Sequence, residues 1–329
     1  MSPRIGDTLI SMVVANNLVR HGIAVTIFSR HLPALGNWFP GFRIEPAFDA
    51  GQARQRLEGF DVVLHAYEAD VVGDVRDWHP RVWIMDQWPT YRQVKPMIDI
   101  QLDLCRHCFG LDNLTRDNGL VAPADAGAAA VRNRVAIHPT ASDIHKQWLP
   151  RRFLRLARRL RADGYEPWFV VAPDEQADWA WVEAQGFRLA AYASLADLAR
   201  WLGTAGIFVG NDSGLAHLAS NVGVPAVSLA IRPRIALRWA PGWAPSLAIT
   251  APPVVPGRWL REVSWKYLLP VSKVAAAIET LRRRVADTPR AFGPGPADAA
   301  SLPVLGAAGS AGTILPVSDA LPGPRQSTR

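Results

Sequence analysis

The stretch Ala205-Gly-Ile-Phe-Val-Gly-Asn-Asp-Ser-Gly-Leu-Ala-His-Leu-Ala219 constrains the fold more than any other. A short apolar run, Ile207 to Val209, breaks at Gly210-Asn-Asp-Ser-Gly214, and a helical pattern then runs from Leu215 to a stop at Gly223. The order strand, polar turn, helix places Asp212 and Ser213 at the carboxyl end of a buried strand and at the mouth of a helix. The first turn of a helix carries unpaired N–H groups and the positive end of the dipole, which suits a phosphate. His217 lies on that first turn. The same residues also serve a helix with no ligand, Asp212 or Ser213 as its cap and His217 as a satisfied polar side chain.

Elsewhere the same alternation recurs. Gly6-Asp7-Thr8-Leu9 opens a helical pattern through Leu18, and short apolar runs follow at 23–28, 60–64 and 82–85 before a helix at 94–109. Beyond a Gly/Ala/Pro seam at 118–134, strands are expected at 135–137, 168–172 and 226–230. Helices are expected from Pro150, with Phe153, Leu156, Ala157 and Leu160 on one face, over 175–185, from the cap Ser194 through Leu202, and over 272–284. Short apolar runs alternating with helices indicate a parallel α/β sheet in each half. Only five residues precede Gly6, too few for a full first strand, so that strand is expected to be missing or a stub. The expected units are residues 1–130, residues 131–286 and a tail, 287–329, whose Pro, Gly, Ala and Ser cannot bury enough to fold and should be disordered.

Charge separates the halves. Residues 1–130 carry 12 basic and 15 acidic side chains, and residues 131–286 carry 21 and 11. The basic half therefore holds the proposed phosphate turn, which fits an anionic small ligand. Nucleic acid is the rival for a pI near 9.9, but six arginines (151, 152, 155, 158, 159 and 161) fall on one helix and read equally as its solvated face, so no nucleic-acid partner is expected. No window has the ~18 uninterrupted apolar residues of a membrane span, and the N-terminus lacks the build of a signal peptide, which places the chain in the cytoplasm. Cys105 and Cys108, the only cysteines, lack the second pair that a structural zinc wants and read as reduced, inert thiols.

Three junctions concentrate polar groups: Gly6-Asp7-Thr8, His138-Pro-Thr-Ala-Ser-Asp-Ile-His-Lys-Gln-Trp148, and the Asp212 turn. Ligands of open α/β sheets bind at the carboxyl ends of strands. Thr140 and Ser142 offer hydroxyls there, and Lys146, one of four lysines, offers a compact charge, although it reads equally as a surface lysine. Asp7 sits at a helix N-terminus, which favours its charged form; it is a candidate general base or a plain cap. No Asp-x-Asp pair is present to hold a divalent metal.

The run from Ser194 to Ala219, with Asp212-Ser-Gly-x-x-His217 at its centre, resembles glycosyltransferase family 9, the ADP-heptose:lipopolysaccharide heptosyltransferases. Gly6-Asp7-Thr8-Leu9 and His138-Pro-Thr-x-Ser…Lys146-x-Trp148-x-Pro150 echo the family in the correct order. The resemblance implies a GT-B fold, two Rossmann-like domains facing across a cleft, with the donor held by the C-terminal one. It also implies inverting transfer of a heptose from an ADP-sugar to a lipopolysaccharide-core-type or other saccharide acceptor, with no metal or other cofactor and with peripheral contact at the inner membrane. Asp7 would be the base and Lys146 a catalytic contact to the departing phosphates. Thr140, Ser142, Glu175, Asp212, Ser213, Gly214, Leu215 and His217 would hold the donor, Glu175 through its ribose. Two departures, the short start and Ile231-Arg-Pro-Arg-Ile-Ala-Leu-Arg-Trp239 in place of a glycine-containing loop, leave a second reading: a nucleotide-sugar-binding relative impaired in transfer.

Overall fold

The computed structural model describes residues 2, 4–123, 131–252, 254–255 and 257–286. The tail from 287 and the centre of the seam, 124–130, lie outside them. The first element is helix α1 (Ile5–Arg20). Of its residues only Ile5, Asp7 and Arg20 reach solvent, the mark of a helix inside a core. Its buried amides are satisfied by the chain that leads towards the second half. Asn17 exchanges hydrogen bonds with both backbone groups of Thr115, at 2.8 and 2.9 Å, and Asn16 donates to the Asp117 carbonyl at 3.0 Å.

Four short strands follow. β1 (Thr26–Ser29) pairs in parallel with β2 (Arg43–Pro46), and β3 (Val63–His65) pairs in parallel with β4 (Val82–Ile84). The two pairs remain separate sheets. This is where the N-terminal half departs from a continuous Rossmann-like sheet. In a doubly wound sheet the first strand lies between the second and the fourth, and among the described residues no strand precedes α1 to join β1 to β3. Helix α2 (Met97–Phe109) flanks α1 and ends on Gly110, whose φ of 62° is the left-handed stop that glycine supplies. Cys105 and Cys108 on α2 are free and buried, and burial pushes both thiols up to about 12, so neither is a ready thiolate.

The second half holds one six-stranded parallel sheet. β5 (Val131–His138), β6 (Glu166–Val170), β7 (Arg188–Ala190), β8 (Ala205–Asn211), β9 (Ala226–Leu229) and β10 (Ser246–Ile249) lie in the order β10-β9-β8-β5-β6-β7. Its central strands read as continuous apolar runs because both faces are covered. The helices are α3 (Pro150–Ala162), α4 (Leu195–Thr204), α5 (Gly214–Asn221), α6 (Pro233–Arg238), α7 (Arg258–Leu268) and α8 (Val271–Val285). The expected 175–185 helix is instead two single turns, Gln176–Trp179 and Trp181–Ala184. On α3 the four apolar residues named above are buried and five of the six arginines are exposed, the sixth, Arg152, being half-buried. The arginine row is a solvated face. One core cluster joins the halves: Leu9, Met12, Leu35 and Trp38 share it with Phe208, Leu218 and Ala226.

Candidate active site

The site forms where three element ends meet: the carboxyl ends of β5 and β8 and the first turn of α1. The helix mouths of α1 and α5 are brought together by two glycines. A Cβ on Gly214 would lie 2.3 Å from Ile5 Cγ2 and 3.0 Å from the Gly6 amide nitrogen, and one on Gly6 would lie 3.0 Å from His217 Cδ2. Only the absence of both side chains lets the backbones approach so closely. Asp7 therefore stands beside the turn that carries Asp212, Ser213 and His217.

On that turn the expected capping does not occur. Ser213 has the extended backbone of a cap residue, φ −148° and ψ 164°, yet its hydroxyl makes no capping hydrogen bond. Its Oγ is buried without a partner, as is His217 Nδ1 on the first turn of α5. Buried polar atoms left unpaired are costly and mark places where a ligand or water completes the bonding. Burial lowers the His217 pKa to about 4, with the Lys146 charge adding to the effect, so its imidazole is neutral at pH 7. The backbone N–H groups of Gly214 and Leu215 open α5 beside these two side chains.

Asp212 faces Lys146. Its Oδ2 lies 3.4 Å from Lys146 Nζ, with the carboxylate 12% and the lysine side chain 39% exposed. Burial raises the Asp212 pKa while the lysine charge opposes the rise. The lysine turn is held against β8 by Asn211, a residue the motif reading passed over. Its Oδ1 accepts from the Trp148 amide at 2.9 Å and its Nδ2 donates to the Pro139 carbonyl at 2.7 Å. The Thr140 hydroxyl donates to Glu175 Oε2 at 2.8 Å, and the Ala172 amide donates to the same oxygen at 3.0 Å. Thr140 and Glu175 are thus brought together, with Thr140 engaged by Glu175. Ser142 lies apart from this group on the exposed part of the turn.

Asp7 corrects one expectation. The helix mouth favours its charged form, but burial outweighs that influence, and the pKa is raised despite Arg4 at 3.6 Å, the Ser2 hydroxyl at 3.3 Å and the Tyr67 hydroxyl, all of which favour the carboxylate. A carboxyl raised from its usual range is better matched to accepting a proton near neutrality. Tyr67 was not legible as part of the site. Its hydroxyl acts electrostatically on Asp7 and on the Tyr91 hydroxyl, and the two rings meet edge to face with centroids 6.0 Å apart. Arg238 on α6 completes the chain, stacking 4.7 Å over the Tyr91 ring and donating to the carbonyls of Tyr91 and Gln93 at 2.6 and 2.8 Å. The 231–239 stretch that departs from the family's loop thus reaches across to the N-terminal half.

Comparison with known proteins follows the same lines. A family model described as glycosyltransferase family 9 (heptosyltransferase) matches residues 71–234. Lipopolysaccharide heptosyltransferase 3 of Escherichia coli is 36% identical over 110 residues, a match spanning 31% of this chain and only 32% of that protein. Among solved structures, the glycosyl transferase family 9 protein from Veillonella parvula superposes with a TM-score of 0.65 at 16% identity, covering 86% of this chain and 96% of that one. The E. coli ADP-heptose LPS heptosyltransferase II gives 0.65 at 15% identity over 87% and 98% of the two chains. E. coli heptosyltransferase WaaC with ADP gives 0.61 at 15% over 85% and 97%. At such identities these likenesses speak for the fold, an α/β architecture of GT-B type.

Proposed function

The chain belongs to glycosyltransferase family 9, and on that premise we propose that it transfers a heptose, or a related sugar, from an ADP-sugar to a saccharide acceptor of the lipopolysaccharide-core type. Residues 131–286 hold the donor and residues 1–130 face the acceptor. The observation that carries this reading is the pair of unpartnered buried atoms, Ser213 Oγ and His217 Nδ1, at the mouth of α5 beside Lys146. A diphosphate supplies the acceptor oxygens that this mouth lacks.

The chemistry follows from the charges. As the acceptor hydroxyl oxygen attacks the anomeric carbon, Asp7 takes its proton. The bond from that carbon to the diphosphate breaks on the opposite face, inverting the centre, and ADP leaves with the electron pair. Lys146, the first amides of α5 and the Ser213 hydroxyl stabilise the departing charge, and no metal is needed for it. The Thr140 hydroxyl, which donates to Glu175, orients that carboxylate for the ribose, Ser142 offers a further hydroxyl from the exposed part of the turn, and Asp212 holds the lysine. His217, neutral at pH 7, donates or accepts a hydrogen bond without repelling Lys146.

The test is transfer from labelled ADP-heptose with ADP binding followed in parallel. Asp7→Asn should lower kcat by about a hundredfold or more while changing ADP affinity little. Equal loss of both would remove Asp7 from the base's role. The second reading is a nucleotide-sugar binder without transfer, under which ADP binds and the label stays on the donor.

A further inference from the structure

A second set of unsatisfied polar atoms lies at the carboxyl ends of β3 and β4. His65 closes β3, is 7% exposed, and its Nε2 is buried without a partner. Asp70 Oδ2, further along the same turn, is also buried and unpartnered. The two groups sense each other: burial lowers the His65 pKa to about 4 against the pull of the Asp70 charge and backbone, so the imidazole is neutral at pH 7. Tyr67, whose hydroxyl acts on Asp7, stands between them in the chain. The pair therefore lies on the segment that borders the proposed base.

The surrounding turn is fixed and its other groups are taken. Ile84 of β4 stands opposite His65, the Asp86 N–H donates to the Ala66 carbonyl at 3.2 Å, and Asp86 Oδ1 accepts from the Glu68 N–H at 3.1 Å. The Glu68 carboxylate holds Arg76 and Gln87. What is left over is one carboxylate oxygen, which can only accept, and one neutral imidazole nitrogen, which accepts or donates according to its tautomer. Charge narrows the ligand further. Positions 61–86 carry six acids against two arginines, and of these Arg76 is engaged by Glu68. A phosphate monoester brings like charge where Asp70 wants a hydrogen. Two neighbouring sugar hydroxyls satisfy both atoms: one donates to Asp70 Oδ2, and the other donates to or accepts from His65 Nε2.

We propose that His65 and Asp70 form the subsite that grips two neighbouring free hydroxyls of the acceptor's sugar ring, and that this ring carries no phosphate. On the transfer reading above, on which this rests, the acceptor is narrowed to a neutral saccharide terminus. The molecule then divides its ligands by charge: the basic half takes the anionic donor, with Lys146 at its mouth, and the acidic turn takes an uncharged ring. Discrimination comes from the buried pair, because a ring that lacks either hydroxyl leaves a polar atom unsatisfied.

Binding of a methyl heptoside to the full-length protein is followed by ligand-observed NMR, without any sugar nucleotide. It is compared with the same glycoside bearing a phosphate monoester on the ring and with one whose ring hydroxyls are methylated. ADP binding is titrated separately, so a failed donor site shows itself apart from a failed acceptor subsite. Expected is binding of the free glycoside about tenfold or more tighter than either derivative. Asp70→Asn keeps the shape and removes the charge, so it should weaken the free glycoside and narrow its lead over the phosphorylated one, with ADP affinity and melting unchanged. His65→Phe, which fills the same space without a nitrogen, should weaken the free glycoside by about fivefold. Wild type that binds none of the three, or that takes the phosphorylated glycoside as well as the free one, overturns the proposal. So does an Asp70→Asn protein that keeps the wild-type ratio, or a His65→Phe protein whose binding is undiminished. Should either variant fail to fold, the wild-type ratio decides alone.

Discussion

Tyr67 exerts its influence through a single proton. Its hydroxyl favours the ionised form of Asp7, which burial disfavours. Tyr67→Phe keeps the ring and removes only that donor, so the Asp7 pKa rises further. Because a base must be ionised to act, the acid limb of kcat/KM should move to higher pH. A limb that stays in place in the phenylalanine variant would detach Tyr67 from the base. The groups facing Asp7 also include Arg4, Ser2 and, across Gly6, the neutral His217, so the shift is read against a fixed set of charges. At this scale the sequence nominates Asp212, Ser213, His217, Lys146 and Asp7 as candidates, because each stands in one of three short local motifs. Asn211 was within the motif but looked like a turn residue. Tyr67, Tyr91 and Arg238 come from three separate segments with no common spacing, and only the fold assembles them.

Between elements, the decisive contact is the crossing of α1 and α5. Gly214→Ala sets a methyl carbon 3.0 Å from the backbone nitrogen of Gly6 as well as against the Ile5 side chain. The isoleucine can turn aside but the backbone cannot, so the helices must part. We expect a loss of roughly 1–3 kcal/mol of stability and weaker ADP binding, measured by denaturant titration and calorimetry, whereas Gly22→Ala, with nothing within 4 Å, has only its φ of 78° to contend with. Most strands and the long helices were legible from apolar runs and their periods. β2, β7, β10, α6 and α7 were not. β10 is four half-buried residues at the sheet edge, hemmed by prolines and with no alternation to betray it. α7 hides its anchor Trp265 among outward apolar neighbours, so its period has no clean polar face. The expected 175–185 helix is instead two separate turns that meet at Ala180.

The molecule as a whole should respond to acid. His217 has a folded pKa of about 4 against 6.5 when free, and buried His138 is also lowered, chiefly by burial. Between those values the unfolded chain binds more protons than the folded one, so stability is full above pH 6.5 and falls as pH drops towards 4. For His217 alone the loss is on the order of 3 kcal/mol. Melting curves taken down that range should slope, and His217→Gln should flatten them; parallel curves for the two proteins would remove His217 as the cause. The central strands of the second half, β5, β6 and β8, are runs of five to eight residues and long enough to read, whereas the N-terminal half rests on strands of three or four residues whose pairing no pattern announces. The cluster that Leu9 and Trp38 share with Phe208 and Leu218 has a consequence for how the molecule comes apart. Because this cluster draws on both halves, neither can unfold without opening the other's core, so calorimetry should give one endotherm rather than two. A chain nicked within residues 124–130 should still migrate as one particle, its fragments separating only when both unfold.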